Sequence, residues 1–157
     1  MDETDLEHLT RCVELAAEAV AAGDQPFGSL LVDAAGDVRR EERNLEGSGD
    51  ATQHPELALA QWAAQHLTPA ERAGATVYTS GEHCPMCSAA HAWVGLGPIV
   101  FATSAAQTAS WYAELGADPS PVASLPIAEV APGVPTRGPS EQHADAVREL
   151  HRQRFGR

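Results

Sequence analysis

Four residues in two short clusters carry the most chemistry in this chain: His54 and Glu56 in His54-Pro55-Glu56, and Cys84 and Cys87 in Cys84-Pro85-Met86-Cys87. Two thiols in a Cys-x-x-Cys unit at a helix start share one face and can hold a metal ion. A catalytic zinc commonly takes three protein ligands and leaves its fourth place to water. One more ligand is needed, and His54 is the candidate. Glu56 follows His54 too closely to be a comfortable second ligand from the same turn, but it is well placed to hydrogen-bond the water. Zinc lowers the pKa of such a water from about 15.7 to roughly 7, and a nearby carboxylate can take the proton and deliver it later to a leaving amine. These parts could attack an amino-bearing sp² carbon and release ammonia. Two other readings use the thiols alone. Cys84, Cys87 and His91 could form most of a closed structural zinc site, or the Cys-x-x-Cys could be a thioredoxin-like redox pair; both leave His54-Pro55-Glu56 without a role.

The elements that must position these residues follow from periodicity. Leu6, Leu9, Val13, Ala16, Ala17 and Val20 recur at helical spacing behind possible caps at Asp2 and Thr4, and Gly23 ends the pattern. Cys12 falls inside this helix as a small buried hydrophobe. Phe27 to Val32, the turn residues Ala34 to Asp37, and Val38 to Arg43 read as a hairpin. A polar segment then leads to His54, where Pro55 suits the first turn of a helix. Thr76 to Thr79 reads as a strand, Pro85 to Val94 as a helix closed by Gly95, and Ile99 to Ala102 as another strand. This alternation implies parallel crossovers with helices on both faces of a sheet. Helix starts then cluster at the carboxyl ends of neighbouring strands, where the two motifs can meet. Farther on, Ser110 to Leu115 reads as helical, Ile127 to Val130 as a strand, Ala131 to Pro139 as a linker, and Ser140 to Arg154 as a final helix.

With 157 residues, 43% hydrophobic and 20% charged, the chain fits one domain over residues 1–157. A formal charge of −12 disfavours a nucleic-acid partner, because phosphates require a clustered cationic surface. The C-terminal arginines Arg148, Arg152, Arg154 and Arg157 read instead as cations at a helix C-terminus. The acidic start and the lack of an apolar run near the roughly 20 residues that span a bilayer point to a cytoplasmic protein with no membrane partner. Three cysteines do not make a disulfide framework.

His-x-Glu followed about thirty residues later by Pro-Cys-x-x-Cys resembles the signature of the zinc nucleobase and nucleoside deaminases of the cytidine deaminase-like superfamily. Pro26-Phe27-Gly28-Ser29, Asn44, His54-Pro55-Glu56 and Thr79-Ser80-Gly81-Glu82-His83-Cys84-Pro85-Met86-Cys87 resemble the branch holding guanine deaminases, cytosine deaminases and tRNA adenosine deaminases. The similarity covers roughly residues 5 to 103. It implies a three-layer α/β/α fold around a five-stranded mixed sheet, one Zn²⁺ per chain, a small amino-heterocycle as substrate, and a homodimer. It also implies that Asn44 bonds the substrate ring, that Phe27 lines the pocket, and that Glu82 faces the substrate. Trp93 is an aromatic candidate for stacking, with plain packing as its alternative. The charge weighs against the tRNA-directed activity found in the same branch.

Three positions depart from the pattern. His83 and Gly81 stand where that branch has proline and cysteine, and Pro55 stands where it has alanine or glycine. Proline has no backbone N–H to donate to a substrate ring. The expected substrate is therefore not a pyrimidine read through its O2, but a ring such as guanine, a modified pyrimidine or an aminotriazine.

Overall fold

The computed structural model describes residues 1–156. A five-stranded mixed sheet has the order β2-β1-β3-β4-β5, with β1 at Gly28–Val32, β2 at Val38–Arg43, β3 at Thr76–Gly81, β4 at Ile99–Thr103 and β5 at Thr136–Arg137. β1 pairs antiparallel with both β2 and β3, while β4 pairs parallel with β3 and β5. The consequence is positional. The ends of β2, β3 and β4 and the start of β1 share one edge of the sheet, as the partners Gly28 and Arg43, Ser29 and Thr79, and Gly81 and Thr103 show.

Among the described residues seven α-helices flank the sheet: α1 (Glu3–Ala21), α2 (Pro55–His66), α3 (Pro69–Gly74), α4 (Pro85–Trp93), α5 (Ala105–Leu115), α6 (Ile127–Val130) and α7 (Glu141–Phe155). Strand side chains alternate between faces, and the buried sets obey that period. Leu30, Val32, Tyr78, Val100 and Ala102 meet Leu9, Cys12 and Leu15 of α1, Trp111 of α5 and Val147 of α7. Leu31 and Val77 meet Leu59, Ala60 and Ala63 of α2. Ile99 and Phe101 pack on Ile127 and Ala131. The fold is the three-layer α/β/α sandwich that the family resemblance implies, with the helices on both faces that the alternation implies. None of the helices described is long and apolar enough to cross a membrane.

Asp2 caps α1 with a reciprocal bond to Asp5, and Cys12 is fully buried in that helix. Two expectations near the C-terminus need correction. Ile127–Val130 is a single helical turn, not a strand, and the fifth strand is Thr136–Arg137, inside the segment 131–139 read as a linker. Pro126 occupies the N-cap of that turn, and the Ile127 N–H donates to the Glu82 carboxylate at 2.8 Å, which fixes the helical start. The strand reads as linker because its two residues are exposed and carry no apolar run.

Candidate active site

Each of the two motifs opens a helix at the shared sheet edge. His54 is the N-cap of α2 with Pro55 in its first turn, and Cys84 is the N-cap of α4 with Pro85 in the same position. The proline ring presets the backbone angle and removes an N–H that would have no partner in the first turn. Both helix N-termini therefore converge on one spot, and their partial positive charge favours thiolates there.

The Nδ1 of His54 lies 3.5 Å from the sulfur of Cys84 and 3.5 Å from that of Cys87. The three ligand atoms all fall within 4.8 Å of one another, and no other such cluster of three exists among the described residues. Bonds of about 2.3 Å to sulfur and about 2.05 Å to nitrogen, set at the tetrahedral angle, would separate the two atoms by about 3.6 Å. The donor set therefore fits a tetrahedral zinc. His91 does not join it: its Nε2–H donates to the Gly97 carbonyl at 2.7 Å. The closed site built on His91 is thus not formed, and a redox pair would leave the third donor unexplained.

Electrostatics within the cluster point the same way. The Cys84 thiol is brought down to about 4, chiefly by the hydrogen bond it accepts from Cys87, with burial opposing and His54 assisting. Cys87 is pushed up because it is the donor in that bond and is buried. His54 is raised to about 10, first by Cys84 and then by Glu46, against the cost of burial. The pair of sulfurs and the imidazole thus hold protons that a divalent cation would displace.

Glu56, on the first turn of α2, is buried. Its Oε1 lies 3.0 Å from the Thr79 hydroxyl and 3.3 Å from the Ser29 hydroxyl, so β1 and β3 both hold the carboxyl in place. Both of those hydrogen bonds fall on Oε1. Burial raises its pKa, with the charges of His54 and Cys84 acting in opposite directions. A carboxyl kept above its ordinary range can carry a proton both ways near neutral pH.

The remaining predicted residues divide. Asn44 is buried at the end of β2, and its Oδ1 accepts from the N–H groups of Glu46 (2.9 Å) and Gln25 (3.2 Å). Those bonds orient the amide and leave Nδ2 without a protein partner among the described residues. Phe27 precedes β1 and meets the His151 ring edge-on at 5.4 Å between centroids. Pro55 is buried beside the ligand. Glu82 is committed elsewhere: its two oxygens accept the N–H groups of Ala105 (2.7 Å) and Ile127 (2.8 Å), so it ties together the starts of α5 and α6. Trp93 is 88% exposed at the last residue of α4. It stands about 13 Å along the helix from Cys84 at 1.5 Å per residue, too far to stack on a ring held at the cluster.

Two groups escaped the sequence reading. His151 of α7 is fully buried among Phe27, Trp111, Tyr112 and Phe155. Glu46 places Oε1 3.0 Å from His54 Nε2. His83 is also buried, packed edge-on against His91 at 5.5 Å, and it points into α4 packing.

Residues 2–103 match the family described as the cytidine and deoxycytidylate deaminase zinc-binding region. The chain belongs to this family. It is 33% identical over 104 residues to a probable cytosine deaminase of Schizosaccharomyces pombe, an alignment covering 66% of the chain and 63% of that protein. It is 34% identical over 95 residues to a guanine deaminase of Bacillus subtilis, covering 60% of the chain and 61% of that protein. The matched part thus spans about six tenths of each of these relatives. A solved guanine deaminase from Nitrosomonas europaea shares the fold with a TM-score of 0.69 at 23% identity, over 94% of this chain and 82% of that one. The deaminase zinc-binding region contains His54, Glu56, Cys84 and Cys87, and the helices beyond residue 103 complete the sandwich.

Proposed function

We propose that this chain is a zinc-dependent aminohydrolase that deaminates a small amino-heterocycle, a free base, nucleoside or analogue, releasing ammonia. The observation that carries the reading is the three-donor cluster with a buried carboxyl, Glu56, two residues from one of its ligands. His54, Cys84 and Cys87 would hold one ion per chain. When bound, zinc supplies Lewis-acid activation of water with an open ligand position.

The chain's own residues do the rest. Asn44, with its oxygen fixed by two backbone N–H groups, turns its Nδ2–H toward a ring acceptor. Phe27 lies against the ring and helps to exclude water. Glu56 takes a proton from the attacking water through Oε2 while Thr79 and Ser29 steady Oε1, and it delivers that proton to the ring nitrogen next to the reacting carbon. As the second water proton moves through Glu56 to the amino group, the carbon–nitrogen bond breaks. Water and the amino-heterocycle become the oxo-heterocycle and ammonia, so atoms and charge balance.

Pro55 tunes which ring is accepted. It offers no N–H at the first turn of α2, so a substrate that needs a donor there is disfavoured. The guanine and cytosine deaminases among the relatives support a nucleobase class of substrate. The test is an ammonia-release screen over guanine, cytosine, cytidine, guanosine, adenosine, 5-methylcytosine and aminotriazines with zinc-loaded protein. Turnover of at least one ring is expected; no turnover of any would contradict the reading.

A further inference from the structure

We infer that Glu46 is a positioning residue for the metal site, holding the His54 ring in the tautomer and orientation that present Nδ1 to the ion. The inference rests on the zinc reading above. Glu46 Oε1 stands 3.0 Å from His54 Nε2, while His54 Nδ1 faces both sulfurs at 3.5 Å. The two ring nitrogens thus have different partners. Nε2–H donates to the carboxylate, so Nδ1 is the nitrogen left to face a cation. A histidine ligand whose other nitrogen donates to a carboxylate is more basic and loses less rotational freedom on binding metal.

The loop that carries Glu46 is braced for this task. Glu46 begins a 3₁₀ turn, Glu46–Ser48, between β2 and α2. Its own N–H donates to Asn44 Oδ1 at 2.9 Å, and the next N–H, of Gly47, donates to the buried Asp24 carboxylate at 2.7 Å. The other Asp24 oxygen accepts from Arg43 at 2.6 Å. The loop ends are joined where Leu45 N–H donates to the Gln53 carbonyl at 3.1 Å. A Cβ at Gly47 would lie 2.5 Å from Asp24 Oδ1, so a side chain there would displace the carboxylate that braces the turn. Asp24 and Asn44 fix the backbone, the backbone fixes Glu46, and Glu46 fixes His54.

The contact has a competing explanation that predicts the opposite sign. If Glu46 served only as an ion-pair partner of a protonated His54, it would stabilise the form that competes with metal, and its removal would tighten zinc binding. As a positioning residue it favours the metal-ready ring, and its removal weakens binding.

The experiment measures zinc affinity of the metal-free full chain by competition with a chromophoric chelator, for the unsubstituted protein, Glu46→Ala and Glu46→Gln. Thermal unfolding of the metal-free proteins reports whether each variant is folded. The expected result is a loss of zinc affinity of about 10- to 100-fold for Glu46→Ala. Glu46→Gln retains an acceptor oxygen for Nε2–H and should recover most of that loss, which a merely structural role for the loop would not produce. Should Glu46→Ala fail to fold, comparison of Glu46→Gln with Glu46→Leu in the same assay decides. Unchanged or tighter zinc binding in a folded variant lacking the acceptor overturns the inference. Failure of the unsubstituted chain to bind zinc would overturn the metal reading itself, so the two failures are distinguishable.

Discussion

The Phe27 ring occupies the space that a side chain at Gly81 would need: a Cβ built at residue 81 would lie 2.8 Å from Phe27 Cε1. Gly81 stands where the branch it resembles carries cysteine, and in this chain the Phe27 ring lies against the glycine. The contact couples the residue before β1 to the end of β3.

Gly81→Cys should therefore overpack the site. A destabilisation of about 1–3 kcal/mol is expected from forcing the ring aside. Adding Phe27→Leu should recover part of it, giving a coupling energy in a double-mutant cycle by urea unfolding. Strictly additive effects would show that the two residues do not compete for space.

His151 gives the fold a pH dependence. Burial lowers its pKa to about 4, and its ring nitrogens have no partner among the described residues. The folded pKa lies below the unfolded value near 6.5, so the unfolded chain binds the proton first. The stability contributed is full above about pH 6.5 and is lost as pH falls from there toward 4, by on the order of 3 kcal/mol at most. His151→Phe should flatten that part of the stability profile measured by urea unfolding between pH 4 and 7. A profile with unchanged slope would remove His151 as its source.

Restoring a backbone N–H at the first turn of α2 should change substrate ranking. Pro55→Ala is expected to raise kcat/KM for cytosine or cytidine relative to other rings by roughly tenfold, the worth of one hydrogen bond. An unchanged ranking, measured by ammonia release, would show that this position does not read the ring.

Much of this molecule was legible in the order of its residues because period and punctuation agreed. The hairpin of β1 and β2, the helices opened by Pro55 and Pro85, and the placement of His54 with Cys84 and Cys87 follow from apolar spacing, first-turn proline and ligand geometry. Glu46 was not legible. It lies eight residues before His54 in a polar loop, and nothing in local spacing says that the loop folds back. Ile127–Val130 is too short to show a period of two or of 3.6, and its capping donor-acceptor bond to Glu82 is long-range. That same bond explains why Glu82 is occupied by backbone rather than turned to a ligand. In the sequence Trp93 is a candidate only as an aromatic side chain on the helix that starts at Cys84, and the length of α4 carries it away.

The central claim is that Glu56 moves protons beside a metal held by other residues. Glu56→Gln keeps the volume and the hydrogen-bonding capacity but cannot carry the proton. Zinc content by elemental analysis and ammonia release, measured together on the best ring from the screen, test the claim directly. The account predicts unchanged zinc stoichiometry with turnover reduced by about 10²- to 10⁴-fold. Full retention of turnover by the zinc-loaded variant would contradict it.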